Sequence, residues 1–147
     1  MQVIGFNLTK IHGEKLPNYS KSGINNNLEF VNVEKDKIDL LKELDALKIS
    51  FKYSLLYGDL EKPENTKQED KQGEIYFEGN LILSTSSEEA KDFHKMWKKK
   101  EIPKSAVEHL YNFILRKCST KSINIQEDLG LPSPYLKVPQ IKLKPQE

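Results

Sequence analysis

Two runs of alternating residues constrain this chain more than anything else in it. Over residues 47–57, Leu47, Ile49, Phe51, Tyr53, Leu55 and Tyr57 alternate with Lys48, Ser50, Lys52, Ser54 and Leu56. Over residues 73–85, Ile75, Phe77, Gly79, Leu81 and Leu83 alternate with Glu74, Tyr76, Glu78, Asn80 and Ile82. Side chains of a strand point to opposite faces with period two, so each run predicts a strand with one apolar face. The pair organises the chain, and the other elements are strands added beside it or helices laid on its apolar face. Between the runs, residues 58–72 carry no apolar residue after Leu60. Such a segment cannot bury enough surface to offset its ordering entropy, which predicts a mobile, solvated loop. Its length excludes a two-residue turn, so strand register must come from the apolar faces.

Residues 2–11 place Ile4, Phe6 and Leu8 on one face and Gly5, Asn7 and Thr9 on the other. This predicts a further strand that Gly5 either weakens or kinks with a bulge. Residues 12–27, rich in Gly, Asn, Ser and Pro, read as a loop. Residues 28–34 predict a strand with Leu28 and Phe30 on one face and Val31 and Val33 on the other, apolar on both sides. Residues 35–45 fit two accounts. Ile38, Leu41, Leu44 and Leu47 step by three as in a short helix, whereas the charged residues between them suit a connector.

Ser86 and Glu89 stand at the spacing of a capping box, in which the hydroxyl accepts from one amide while the carboxylate reaches back to the other. Ala90, Phe93 and Trp97 follow at helical spacing, predicting a helix to about Lys99 or Lys100. Pro103 opens the next helix, since its missing amide proton is harmless in a first turn. Val107, Leu110, Tyr111, Ile114, Leu115 and Cys118 give that helix a wide apolar stripe. Residues 119–130, with Ile123, Ile125 and Leu129, predict a short third helix closed at Gly130. Pro132, Pro134, Pro139 and Pro145 exclude a helix or central strand beyond it. Leu136, Val138, Ile141 and Leu143 are apolar, so this end lies extended over a surface. The expected architecture is α+β: an antiparallel sheet of about four strands (a meander), with two to three carboxyl-terminal helices packed on one face and a proline-rich extended tail. Residues 1–131 form the single domain and residues 132–147 the tail.

Composition narrows function mainly by exclusion. A chain of 147 residues buries a core without disulfides or metal. The net charge of +1 argues against a protein that wraps a nucleic-acid backbone. Cys118 is the single cysteine and cannot form an internal disulfide. Neither a leader pattern nor a run of membrane-span length occurs, which predicts a soluble cytoplasmic protein without membrane insertion. The seven glycines never cluster into a phosphate-cradling loop. His12, His94 and His109 with Cys118 lack the spacing of a zinc site, and Cys118 on an apolar helix face reads as a small buried hydrophobe. Carboxylate pairs such as Glu88–Glu89 and Glu127–Asp128 stand at helix ends, where solvated caps account for them. No catalytic residue, metal or cofactor is expected, and the chain reads as a non-enzymatic binding protein.

Two surfaces qualify for binding. A sheet with Val31, Val33, Leu56, Tyr76 and Ile82 opposite its main face must cover both sides. The second face then serves as a subunit interface, as a groove for extended apolar polypeptide, or as a surface closed by the tail. The residues assigned to polypeptide binding are Val31, Val33, Tyr76, Ile82, Leu136 and Val138. The alternative is a ribosome- or RNA-associated accessory protein. Lys95, Lys98, Lys99, Lys100 and Lys104 cluster around Trp97, and residues 86–121 hold nine basic against five acidic side chains. Phosphate contacts and base stacking on Trp97 use such a patch; a solvated helix end is the ordinary account of it.

The order of elements resembles the SecB-type protein-export chaperone family: an amino-terminal strand, an antiparallel meander, then helices. The segment Tyr111-Asn112-Phe113-Ile114-Leu115-Arg116-Lys117-Cys118, followed by Leu131-Pro132-Ser133-Pro134 and Val138-Pro139-Gln140-Ile141, is similar to that family's helix and proline-rich apolar end. It is also similar to small archaeal proteins linked to SecB. The resemblance covers most of the chain in topology and about the last third in wording. It implies a homo-oligomer, a tetramer built as a dimer of dimers, with grooves that hold unfolded polypeptide. The family is usually acidic, whereas this chain is near neutral and its helix region is basic.

Overall fold

The computed structural model describes residues 1–36 and 44–132. Four strands, β1 (Gln2–Lys15), β2 (Gly23–Lys35), β3 (Leu44–Gly58) and β4 (Gly73–Ser86), are followed by two helices, α1 (Ser87–Trp97) and α2 (Lys104–Leu129). The strands form one antiparallel sheet in the order β1-β4-β3-β2. β2, β3 and β4 make the meander, and β1 adds to the far side of β4. This is the α+β architecture expected from the alternation. The expectations for residues 37–43 and for the tail from residue 133 lie outside the described residues.

The two alternating runs pair with their apolar sides in register: Leu47 opposite Leu83, Ile49 opposite Leu81, Phe51 opposite Gly79, Tyr53 opposite Phe77 and Leu55 opposite Ile75. These side chains are fully buried beneath the helices, joined by Ala90 and Phe93 of α1 and by Ala106, Leu110, Ile114 and Cys118 of α2. Each large apolar side chain taken from water contributes roughly 1.5–3 kcal/mol. Gly79 is required where it stands. A Cβ there would meet the Asn7 carbonyl of β1 and lie 3.0 Å from the Phe51 ring. The missing side chain lets Phe51 reach across β4 and stack on Phe6 of β1, centroids 5.7 Å apart.

The edge strands differ from expectation through bulges. β1 shifts register between Val3 and Gly5 and again between Leu8 and Lys10, and β2 shifts between Phe30 and Asn32. A bulge adds one residue to a strand and exchanges the faces of everything beyond it. Hence Ile4 is exposed while Val3, Phe6 and Leu8 pack on the core. The reading of Val31 and Val33 on one outer face is corrected in the same way. Val31 is the bulged residue and 55% exposed, whereas Val33 is 6% exposed and buried on the side of Leu28 and Phe30.

Residues 12–27 are also not a loop, because β1 runs to Lys15 and β2 starts at Gly23. Ladder pairing needs backbone groups and not apolar side chains, so Asn25 and Asn27 sit in a strand opposite Leu56 and Ser54. The connector of residues 16–22 crosses the end of the sheet. It is tied there by the Leu16 N–H donating to the Gln72 carbonyl (3.0 Å) and the Ser20 N–H to Gln72 Oε1 (2.8 Å). The connection from β3 to β4 holds two 3-10 turns, Pro63–Asn65 and Gln68–Asp70. Local polar bonds take the place of apolar burial. The Asp59 carboxylate accepts from the Glu61 and Lys62 amides (2.9 and 3.2 Å), and the Asp59 N–H donates to Thr66 Oγ1 (2.9 Å).

The capping box opens α1 as expected, with the Glu89 N–H donating to Ser86 Oγ and the Ser86 N–H to Glu89 Oε1. The short third helix is instead the last part of α2. No Gly or Pro interrupts residues 119–129, and the hydroxyls of Thr120 and Ser122 bond back to the Arg116 and Ser119 carbonyls of the same helix. Both helices close alike, by a left-handed residue whose flanking amides reach back to the last carbonyls. After α2 this residue is Gly130 (φ 69°), with the Leu131 N–H donating to the Gln126 carbonyl. After α1 it is Lys100 (φ 59°), with the Glu101 N–H donating to the Met96 carbonyl.

Lys100 bears the steric cost that Gly130 avoids, so Lys100→Gly should raise unfolding stability by about 1 kcal/mol in chemical denaturation. Gly79→Ala should lower it by about 1–3 kcal/mol; an unchanged midpoint would show that Phe51 and β1 can move apart without loss.

Candidate functional site

β2 is the last strand on its side of the sheet, and among the described residues no strand pairs with its outer edge. Such an edge presents unpaired backbone N–H and C=O groups to an incoming chain. Beside it the described structure is hollow. The α2 residues buried at steps of four, Ala106, Leu110, Ile114 and Cys118, lie against the core. A second line at the same step, Val107, Tyr111 and Leu115, is displaced toward β2 and is only partly covered. With Leu28 and Tyr53 it lines a cavity of ≈ 500 Å³, rimmed by Asn26, Asn27, Glu108 and Asn112. A neighbouring cavity of ≈ 440 Å³ continues past Phe30, Met96 and Ile102 to the charged residues Glu29, Lys100, Glu101 and Lys104. Leu28, Val107 and Tyr111 line both, so the two make one trough along the β2 edge. At its centre the Tyr111 ring stacks on Phe30, centroids 5.4 Å apart and 17° between planes.

The trough offers apolar side-chain seats next to an open backbone edge, which is the chemistry needed to hold an extended polypeptide. Sequence reasoning missed it by counting all six apolar residues of α2 as one core stripe. The signal was present: 107, 111 and 115 form a line of their own beside the residues at 110, 114 and 118.

A hydrogen-bond chain ties the end of α2 to β3. Gln126 Nε2 donates to the Tyr57 hydroxyl (2.9 Å), which donates to the Pro132 carbonyl (2.7 Å). Tyr57 and Gln126 are buried, and burial pushes the Tyr57 hydroxyl up to about 12 from its ordinary value near 10. Leu131 seals the helix end against the core.

Of the residues assigned from sequence to polypeptide binding, the four among the described residues do not share one surface. Val31 is exposed at the β2 bulge, Val33 lies in the core, and Tyr76 and Ile82 stand half-buried on the opposite face of the sheet. Leu136 and Val138 lie outside the described residues. The Tyr76 ring is enclosed by polar neighbours, with His12 stacked on it at 4.8 Å and the Lys52 and Lys10 ammonium groups 4.6 and 5.2 Å from its centroid. Ile82 covers Gly5, and a Cβ at Gly5 would lie 3.2 Å from it.

The basic patch is laid out differently from an open stacking platform. Lys95, Lys98, Lys99, Lys100 and Lys104 are exposed, but Trp97 is half-buried against the core and Lys100 Nζ lies 5.0 Å over its ring. Its face is occupied by the chain's own cation.

His94 and His109 are exposed, whereas Cys118 is fully buried and its thiol is pushed up to about 12 by that burial. A thiol so placed stays protonated and packs as a hydrophobe. His12, Glu14 and Glu74 bring ligand atoms within 4.8 Å of one another on the outer face. The Lys71 ammonium already sits among them, 2.7 Å from Glu74 and 3.2 Å from Glu14. Its hydrogen bond holds the Glu14 carboxyl below the usual carboxylate range, while Glu74 raises Lys71 above the usual lysine value. Among the described residues no helix is long and apolar enough to cross a membrane.

No protein-family model and no curated protein sequence matches the chain. Among solved structures it is similar to the Mycobacterium tuberculosis Rv1957 SecB-like chaperone, in complex with a ChAD peptide from the Rv1956 HigA1 antitoxin. The match covers 97% of this chain and 92% of the other at 15% identity, with a TM-score of 0.45. So loose a correspondence of fold supports no statement about what this chain does.

Tyr57→Phe strands the Gln126 amide and the Pro132 carbonyl, and should cost about 1–3 kcal/mol of stability. The hydroxyl also sets a pH dependence. Because the folded state holds this proton more tightly than the unfolded chain, its contribution is complete below pH 10 and is lost as pH rises to about 12. Wild type should therefore lose stability over that window by roughly 2–3 kcal/mol more than Tyr57→Phe does. Parallel profiles for the two proteins in alkaline denaturation would contradict this.

Proposed function

We propose that this chain is a non-enzymatic polypeptide-binding protein of chaperone type, which holds extended apolar segments in the trough between β2 and α2. The carrying observation is the adjacency of an apolar cavity of ≈ 500 Å³ to a strand edge that no strand among the described residues pairs. A bound segment pairs its backbone with β2 and seats alternate side chains against Leu28, Tyr53, Val107, Tyr111 and Leu115. Main-chain pairing is blind to sequence and apolar seats demand only size and hydrophobicity, so the site suits unfolded polypeptide of many sequences. The mixed charges at the far end, Glu29, Glu101, Lys100 and Lys104, favour segments whose apolar stretch ends in polar residues of either sign.

Tyr111 is 36% exposed, so its replacement need not disturb the core. Tyr111→Glu should weaken binding of a reduced, carboxymethylated lactalbumin probe about tenfold, the loss typical of one central aromatic anchor. It should also reduce suppression of that client's aggregation in light scattering, whereas Tyr76→Ala on the opposite face should leave both unchanged. The reverse pattern would move the site to the outer face.

A further inference from the structure

One end of the trough runs into a concentration of positive charge. We infer that the polypeptides held there are those whose apolar stretch adjoins an acidic one, with the acidic flank lying on the turn between α1 and α2. This rests on reading the trough as a polypeptide site, and names the class of segment that the site selects.

Residues 95–104 hold Lys95, Lys98, Lys99, Lys100 and Lys104 against a single acid, Glu101. All five lysines are exposed. Elsewhere Lys35, Lys48 and Lys71 lie 2.7–3.9 Å from carboxylates. Among the described residues no carboxylate pairs with any of the five. In a chain of net charge +1 this leaves a local positive field without an internal counter-charge.

Helix electrostatics accounts for only part of the cluster. Lys95 stands in the last turn of α1 and Lys98 at its C-cap, where cations suit the dipole. Lys104 instead opens α2, where the dipole disfavours a cation. Neither an acid in that first turn nor a side-chain cap offsets it. A cation placed against helix stability is accounted for by an anion from outside the chain.

The turn is continuous with the trough. Ile102 is buried in the core, and the Lys100 and Glu101 N–H groups donate to the Trp97 and Met96 carbonyls (2.8 and 3.2 Å). Lys100 and Lys104 line the same cavity as Leu28, Phe30 and Tyr111. The lining is mixed in sign because Glu29 and Glu101 join it, but Lys95, Lys98 and Lys99 give the rest of the turn one sign. A segment that leaves the apolar seats therefore meets lysines after its first polar residues. Nucleic acid fits less well. The face of Trp97 is taken by Lys100, and apolar seats give nothing to a phosphate backbone. An acidic flank on an apolar segment uses both surfaces at once.

The test titrates the full chain with fluorescein-labelled peptides that share one apolar core and carry glutamates, serines or lysines on both flanks. At low salt the glutamate-flanked peptide should bind about tenfold more tightly than the serine-flanked one, the sum of several weak surface pairs. The lysine-flanked peptide should bind more weakly than either, and the differences should vanish in about 1 M salt. Combining Lys98→Glu, Lys99→Glu and Lys104→Glu changes only exposed positions and places an acid at the α2 amino terminus, where one is favoured. This variant should reverse the order of the charged peptides and leave the serine-flanked affinity unchanged.

Three equal affinities in wild type, or an order that the variant leaves in place, would overturn the acidic preference. Binding of the serine-flanked peptide would then keep the trough as a polypeptide site. If that peptide and lactalbumin bind neither protein while the glutamate-flanked peptide still tells them apart, the lysines hold acidic chains alone and the polypeptide reading of the trough fails. A labelled oligouridine that displaces the glutamate-flanked peptide from wild type and does not bind the variant would overturn the assignment in favour of nucleic acid.

Discussion

The pairing of β3 with β4 along their apolar sides is the constraint on which the rest of the molecule depends. Of five cross-strand levels from Leu47–Leu83 to Leu55–Ile75, four place a large inward side chain of one strand against one of the other, and the fifth sets Phe51 against Gly79. A slip by one residue would turn that whole set toward solvent, so register and burial enforce each other. The long connection between the strands contributes no apolar anchor to this choice. Its 3-10 turns settle around a register already decided by the faces.

The periphery follows from that pair through close approach. Gly79 lets Phe51 pass under β4 to Phe6, which ties β1 to the core. α2 then buries one line of residues at steps of four and leaves its neighbouring line of Val107, Tyr111 and Leu115 toward β2. The trough is thus a consequence of helix geometry. A helix with two adjacent apolar lines, laid over a sheet whose last described strand is β2, covers one line and overhangs the edge with the other.

Function by binding needs exposed apolar surface, and exposed apolar surface is a hazard to the protein that carries it. The trough reduces that hazard by being rimmed with Asn26, Asn27, Glu108 and Asn112. Polar residues also guard the opposite face, where His12, Lys10 and Lys52 enclose the ring of Tyr76.

Much of the fold was legible in one dimension. The alternation of residues 47–57 and 73–85, the Ser86–Glu89 cap and the Gly130 terminus each depend on neighbours in sequence, and each stands in the structure as read. The bulges did not show, because a bulge is defined by the strand opposite. Val31 and Val33 look alike in sequence, yet only pairing with Ser50 and Ile49 decides that one is exposed and the other buried. The candidate site was invisible for the same reason, since Leu28 and Tyr111 meet only after the sheet has chosen its order and α2 its line of contact. Sequence alone determined the buried faces of β3 and β4, because periodicity is a local property. Tertiary structure decided which apolar residues were left over at the β2 edge, because that depends on the number of strands available to cover them.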